Sequence, residues 1–184
     1  MKMVDSIVKW CNAVNPQSEK EDTIIRYGAE LLIDNLLRVF IILLLGILLG
    51  KGYETAVILL VFCGIRSQAG GIHAKMSLGC GVSMTGVWLL SLLGGKTTGI
   101  PLWCILILYL VSVGITLTLV PQTVNREYYT EKMLRRKRYC TLLLLSYSCM
   151  AAYAKPEIRG FIMWAIVLEM GTVVLGWWEN KRGD

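Results

Sequence analysis

Histidine is almost absent from this sequence, and no two cysteines form a CxxC pair. The 184 residues contain one histidine, His73, and six scattered cysteines. A zinc site needs more Cys and His ligands at closer spacing, and a disulfide framework needs a recognisable cysteine pattern. We therefore expect no metal and no cofactor, and we expect most cysteines to be small packing residues in helices.

Charge is also scarce. Only 17% of residues are charged and 55% are hydrophobic, which is too apolar for an ordinary soluble domain and predicts a membrane protein. The net charge of +6 comes from basic residues between apolar runs, where they set membrane topology, so nucleic acid is not expected as a partner. Residues 1–15 lack an unbroken apolar run, so we expect no cleavable signal peptide.

The hydrophobic runs predict an all-α polytopic membrane protein. Residues 1–15 have helical apolar spacing with one polar face and predict an amphipathic interfacial helix. Six transmembrane helices are expected in a bundle over 31–178, at 31–49, 55–65, 78–93, 100–120, 139–154 and 158–178. We expect the whole chain, 1–184, to form one integral-membrane domain with a basic loop at 121–138.

The basic residues predict the orientation. Six spans place both termini on one side of the membrane. Fourteen Lys and Arg residues lie in the N-terminal segment, the stretch 66–80, the loop 121–138 and the tail, whereas the other connections hold four. By the positive-inside rule, the termini, the stretch 66–80 and the basic loop face the cytoplasm.

Three further charged residues fall inside the predicted spans. Asp34 and Arg38 are four residues apart and are expected to form an ion pair on one helix face, with a substrate contact as the alternative. Glu169 is expected to pack or accept hydrogen bonds, and we do not expect it to be a catalyst.

The candidate site is a short polar, glycine-containing stretch between two hydrophobic runs, Arg66 to Cys80. It holds His73 seven residues before Cys80. The thiolate is the reactive form of cysteine, and a nearby imidazole or a helix N-terminus favours it. If Ser77 caps the following helix, Cys80 lies in its first turn, where free amides could also hold an oxyanion.

The spacing of this pair restricts the local structure. On one continuous helix the two residues would be ~10.5 Å apart along the axis, beyond hydrogen-bond reach. The segment must therefore bend back, and Gly70 and Gly71 allow such a bend. The alternative is an unrelated loop histidine and helix cysteine. Gln68, Ser67 and Asp34 are equal candidates for a third, orienting residue.

The pattern Arg66-x-x-x-Gly70-Gly71-x-His73-Ala74, followed by Cys80, resembles the active-site segment of the accessory gene regulator B (AgrB) family of membrane cysteine peptidases in quorum sensing. The similarity in size and hydropathy extends over the whole chain. It implies that Cys80 is the nucleophile and His73 the general base. Supporting roles are expected for Arg66, Ser67, Gln68, Gly70, Gly71 and Ser77.

The same resemblance implies the substrate. It would be an AgrD-like propeptide with an amphipathic leader, a core that closes into a thiolactone or lactone, and an acidic tail. The loop that begins at Pro121 resembles a second family motif, more loosely. Its residues are candidates for binding the tail, or for contacting lipid headgroups and fixing topology: Asn125, Arg126, Arg135, Arg136, Lys137 and Arg138.

Other partners and another class of function are also considered. Membrane lipids are expected as partners, and a homodimer is suggested by analogy with the family and by the small residues of the third span. The alternative to an enzyme is a non-enzymatic membrane transporter or export partner for a peptide, which six spans and charges within them would also suit.

Overall fold

The computed structural model describes residues 2–14, 19–70, 77–96, 100–122 and 130–183. Over these residues the chain is helical and has no strand, which confirms the predicted all-α class. The helices are α1 (Lys2–Val14), α2 (Glu19–Leu48), α3 (Gly52–Ala69), α4 (Ser77–Gly94), α5 (Leu102–Leu119), α6 (Glu131–Ala154) and α7 (Pro156–Gly183). The chain forms two compact units, residues 1–44 and 45–184.

The first unit is an antiparallel pair made by α1 and the beginning of α2. Val4 and Val8 of α1 are buried together with Ala29 of α2. Arg26 donates a hydrogen bond to Asp5 at 2.6 Å, which ties the polar edge of the pair. Part of the apolar face that we expected to meet lipid is thus buried against protein. The position of α1 in the membrane interface stays a prediction.

The charged pair on α2 follows the predicted spacing. Arg38 Nη2 donates to Asp34 Oδ2 one helical turn away, so the expected ion pair is confirmed. The helix continues to Leu48, and a turn with Gly50 at φ +67° follows. These charges therefore satisfy each other within one helix face.

In the second unit, α7 lies at the centre and packs against α3, α4, α5 and α6. Its core positions Ala165, Ile166 and Val173 have no exposed surface. This helix carries apolar side chains around most of its circumference, as expected for a helix with neighbours on several sides. It is therefore the element through which distant parts of the unit can contact each other.

Helices α3 and α4 form an antiparallel hairpin beside α7. The Trp88 indole N–H donates to the Thr55 hydroxyl at 3.0 Å, with both side chains buried. Beyond α4, the chain passes very close to the start of α7, because a Cβ at Gly160 would fall on the Gly95 carbonyl oxygen. Small residues thus allow the backbones to approach at this crossing.

Three helices of the described chain are long and apolar enough to cross a membrane: Ile25–Leu48, Leu102–Leu119 and Pro156–Glu179. A fourth apolar segment, Gly81–Gly94, is shorter. The chain is therefore a membrane protein, whereas the predicted number of six spans is not confirmed. The 18-residue helix α3 carries Glu54 and Arg66, and α6 begins with a strongly basic segment.

The predicted loop at 121–138 was too long. Helix α6 begins at Glu131, and the Thr130 hydroxyl caps it by accepting from the Met133 amide at 3.4 Å. Lys and Arg are good helix formers, so a charged segment can form the first turns of a helix when a cap is present. The basic residues from Lys132 to Arg138 are therefore helical.

The second unit has two ends. The ends of α3, α5 and α7 and the starts of α4 and α6 lie at one end, which we call the site end. At the opposite end, Arg159 donates from Nε to the Ala152 carbonyl at 3.1 Å and from Nη1 to the Ile100 carbonyl at 2.9 Å. Arg159 thus joins α7 to the end of α6 and to the segment before α5, at the end away from the candidate site.

Candidate active site

The helix break predicted at the glycine pair is present. Helix α3 ends at Ala69, Gly70 has φ +78°, and α4 begins at Ser77. Helix α3 therefore does not continue into α4 as one helix. Cys80 is the fourth residue of α4, so its predicted place in the first turn is confirmed. His73 and Gly71 lie outside the described residues.

Gly70 lies against the segment that follows α5. The Gln122 amide donates to the Ala69 carbonyl at 2.8 Å, and Gly70 and Gln122 form an isolated parallel bridge. A Cβ on Gly70 would fall on the Gln122 carbonyl oxygen. The positive φ and the close approach both require a residue without a side chain.

The segment that contacts Gly70 is itself well anchored. Gln122 is buried and its side-chain amide donates to the Leu119 carbonyl at 2.5 Å. Arg138 of α6 donates from Nε to the Val120 carbonyl at 3.1 Å, and the Val120–Pro121 peptide is cis. Arg138, one of the predicted substrate-binding residues, is thus bonded to the backbone of this segment.

Arg66 connects the end of α3 to the central helix. Its Nη1 lies 3.5 Å from Glu169 Oε2 and 3.2 Å from the Thr172 hydroxyl. Its guanidinium carbon is 5.5 Å from the centre of the Phe62 ring. Glu169 is fully buried, and the expectation that it accepts hydrogen bonds is confirmed. The sequence singled out both charges but could not show that they pair.

The candidates for an orienting residue differ in their surroundings. The exposed Ser67 hydroxyl donates to the Gly64 carbonyl at 2.8 Å, and Gln68 Nε2 donates to Ser67 at 3.3 Å. Both therefore make local contacts at the end of α3. Asp34 pairs with Arg38 on α2. Ser77 is placed by the helix backbone as the first residue of α4.

The predicted substrate-binding residues fall into two groups. Asn125 and Arg126 lie outside the described residues. Arg135 and Arg136 are exposed on the first turns of α6, and Lys137 is half-buried. The site end therefore carries accessible positive charge on α6, which an acidic ligand would encounter.

The last turns of α7 add cations over aromatic rings. The Arg182 guanidinium lies 3.6 Å from the centre of a Trp178 ring, and Lys181 Nζ lies 5.2 Å from a Trp177 ring. Tryptophan and basic residues at a helix end are typical of a membrane interface.

Metal binding has no visible basis in this part of the chain. Among the residues with described positions, no three His, Cys, Asp or Glu side chains converge as a set of ligands. The described part of the site end offers a cysteine at the start of α4, the end of α3 and cationic side chains.

Comparison with known proteins gives one match. The family model for accessory gene regulator B matches residues 1–174, which is nearly the whole chain. No curated protein and no solved structure matches the chain significantly.

Proposed function

The chain belongs to the accessory gene regulator B family, and from this premise we propose that it is a membrane-embedded cysteine endopeptidase that matures a quorum-sensing propeptide. The family takes part in quorum-sensing peptide processing. The observation that carries the proposal is the break between α3 and α4. Helix α3 ends before Gly71, and the first turn of α4 holds Cys80. The substrate is an AgrD-like propeptide.

In the first step, Cys80 attacks the carbonyl carbon of the peptide bond after the propeptide core. His73 takes the thiol proton and then delivers it to the nitrogen of the departing tail, so charge and protons balance. The products are the free C-terminal tail and a thioester between the core and Cys80. Amides at the start of α4 are suited to stabilise the negative oxygen of the intermediate.

In the second step, a thiol or hydroxyl within the core attacks the thioester carbonyl. His73 removes the proton of the attacking group, and the Cys80 thiolate leaves and is reprotonated. The product is a cyclic thiolactone or lactone. Because water would hydrolyse the thioester, a site formed by membrane helices favours cyclisation over hydrolysis.

Substrate attraction is assigned to the basic start of α6. The exposed guanidinium groups of Arg135 and Arg136, with Asn125, Arg126 and Lys137 nearby in sequence, would draw the acidic tail to the site end. Arg138 instead supports the segment that contacts Gly70. Anionic lipid headgroups would bind the same cations, so the tail must compete with them.

The proposal includes the arrangement in the membrane. Residues 1–184 form one multi-pass domain with six spans, an N-terminal amphipathic helix and a cytoplasmic site end. The Trp and basic residues at the end of α7 support a position of this helix end at the membrane interface. Fourteen of the Lys and Arg residues then lie on the cytoplasmic side.

The test is co-expression with an AgrD-like propeptide, followed by mass spectrometry of the products. We expect the parent protein to release the C-terminal tail, and we expect Cys80→Ala and His73→Ala to leave the propeptide intact. Cys140→Ala on α6 is the matched control and should process normally. Tail release by either active-site variant would refute the assignment.

A non-enzymatic peptide transporter or export partner is the second candidate, because Asp34, Arg38 and Glu169 are charges within membrane helices. In the described structure Asp34 pairs with Arg38, and Glu169 pairs with Arg66. These partners support structural roles. Reconstituted Cys80→Ala protein that moves a propeptide across liposomes would favour the transporter.

A further inference from the structure

Glu169 is a carboxylate that the proposed chemistry does not use. It is fully buried on α7, where its Oε2 lies 3.1 Å from the Thr172 hydroxyl and 3.5 Å from Arg66 Nη1. Its other oxygen, Oε1, is buried with no hydrogen-bond partner among the described residues. A buried carboxylate is costly unless a cation compensates it. In the described chain, Arg66 provides that charge.

Arg66 lies in the last turn of α3. Its carbonyl accepts from the Gly70 amide at 3.0 Å, and its guanidinium reaches α7 with only 20% of the side chain exposed. Contacts to both Glu169 and Thr172 fix the guanidinium at two points on one helix. The turn from which the chain leaves α3 is therefore tied to the central helix.

A second attachment holds the same turn from another side. The Gln122 amide donates to the Ala69 carbonyl, three residues after Arg66. His73 follows Gly70 by three residues in the sequence. The position available to such a short segment is limited by the place where it starts, and two separate contacts fix that place.

We propose that Glu169 is a positioning residue for the peptidase reaction. It acts through Arg66, which holds the end of α3 where the segment carrying His73 must begin. Glu169 does not touch the substrate or the reacting atoms. The inference rests on the proposed function, because it assigns a structural reason for the reactivity of Cys80.

The effect on chemistry follows from geometry. A base and its nucleophile must lie within about 2.6–3.2 Å of each other, and a misplacement of about 1 Å can cost on the order of a hundredfold in rate. Loss of the Arg66 counter-ion would release the last turn of α3, from which the sequence continues to His73. The thiolate at Cys80 would then form less readily near neutral pH.

The experiment measures the alkylation of Cys80 in the full-length protein, with the other five cysteines replaced by alanine. Iodoacetamide is the probe, and mass spectrometry gives the rate in detergent micelles at pH 7 and pH 9. The variants are Glu169→Gln, which removes the charge, and Glu169→Asp, which keeps the charge but withdraws it from Arg66. Glu179→Gln, an exposed carboxylate on the same helix, is the matched control.

We expect Glu169→Gln to slow alkylation at pH 7 about tenfold, with Glu169→Asp between it and the parent. At pH 9 an ordinary thiol is largely ionised, so the variants should approach the parent rate. Glu179→Gln should match the parent at both pH values. A purely structural role for Glu169 would change both rates together or neither.

A thermal unfolding scan of each variant identifies those that fold. If Glu169→Gln does not fold, Glu169→Asp carries the test. A folded variant of either kind with the parent rate at pH 7 overturns the positioning role alone. If the parent reacts at pH 7 no faster than His73→Ala, the proposed function fails and the positioning role fails with it.

Discussion

At Gly70, the backbone conformation and the packing both require a residue without a side chain. Its φ of +78° disfavours any residue with a Cβ, and that Cβ would meet the Gln122 carbonyl. The bridge to Gln122 joins two segments that are distant in sequence. The packing of the site end therefore depends on a position that carries no side chain.

Gly70→Ala should lower the free energy of unfolding by about 1–3 kcal/mol and reduce tail release strongly, because the bridge to Gln122 must open. Thermal unfolding in detergent and the processing assay measure the two effects. Gly114→Ala on α5 is the control, since its Cβ would have nothing within 4 Å. Equal stability of the two variants would show that the bridge contributes little.

At the residue scale, the sequence predicted the features that depend only on local backbone conformation. Gly70 and Gly71 indicated a bend, and Ser77 indicated the start of a helix that holds Cys80 in its first turn. The partner of Gly70 was not predictable, because the bond from Gln122 depends on how α3 and α5 pack. The Arg66 and Glu169 pair spans 103 residues, a separation at which no local pattern operates.

Helix α6 carries basic residues in two different environments. Arg138 donates to the Val120 carbonyl, whereas Arg135 and Arg136, three and two residues earlier, are exposed. Helical geometry therefore separates the basic residues by role, although they are adjacent in sequence. Under the proposed function, the exposed pair is the part that would meet an acidic tail.

Replacing Arg135 and Arg136 together by glutamate should raise KM for a propeptide with an acidic tail at least several-fold while leaving kcat nearly unchanged, because attraction precedes chemistry. The effect should shrink at high salt. Lys155→Glu, an exposed cation at the opposite end, is the control. An unchanged KM would favour a role of the basic turns in topology or lipid contact.

The crossing of the segment after α4 with α7 is a second property of elements. Gly160→Ala should destabilise the protein by about 1–3 kcal/mol, because the new methyl group meets the Gly95 carbonyl and the helices must separate. Gly171→Ala on the same helix has open space and serves as the control. Similar unfolding temperatures for the two would mean that the crossing adapts freely.

Helix positions were more predictable than helix roles. The predicted span at 78–93 overlaps α4, and α1 at Lys2–Val14 overlaps the N-terminal helix predicted at 1–15. Apolar periodicity defines such elements because burial follows it. The start of α6 was missed because a run of charges was interpreted as loop, although Lys and Arg favour helix and Thr130 caps it.

For the whole molecule, orientation in the membrane is the property that the proposal most needs. In a protein with its native cysteines replaced, Arg136→Cys should react with an impermeant maleimide in inverted vesicles, whereas Lys155→Cys should react in intact cells. Gel shift measures both, and permeabilised cells give the control for accessibility. The reverse pattern would place the site end outside the cytoplasm and contradict the proposed orientation.

The contact between Arg66 and Glu169 also has a consequence for biosynthesis. The ribosome delivers the chain from its N-terminus, so α3 and α4 are synthesised with Cys80 before α7 exists. The nascent chain therefore contains Cys80 without the helix that Arg66 contacts. A chain ending at Ala154 should not process the propeptide despite carrying Cys80 and His73, and separate expression of residues 155–184 should restore processing. Peptidase activity would thus begin only after the last helix has been synthesised.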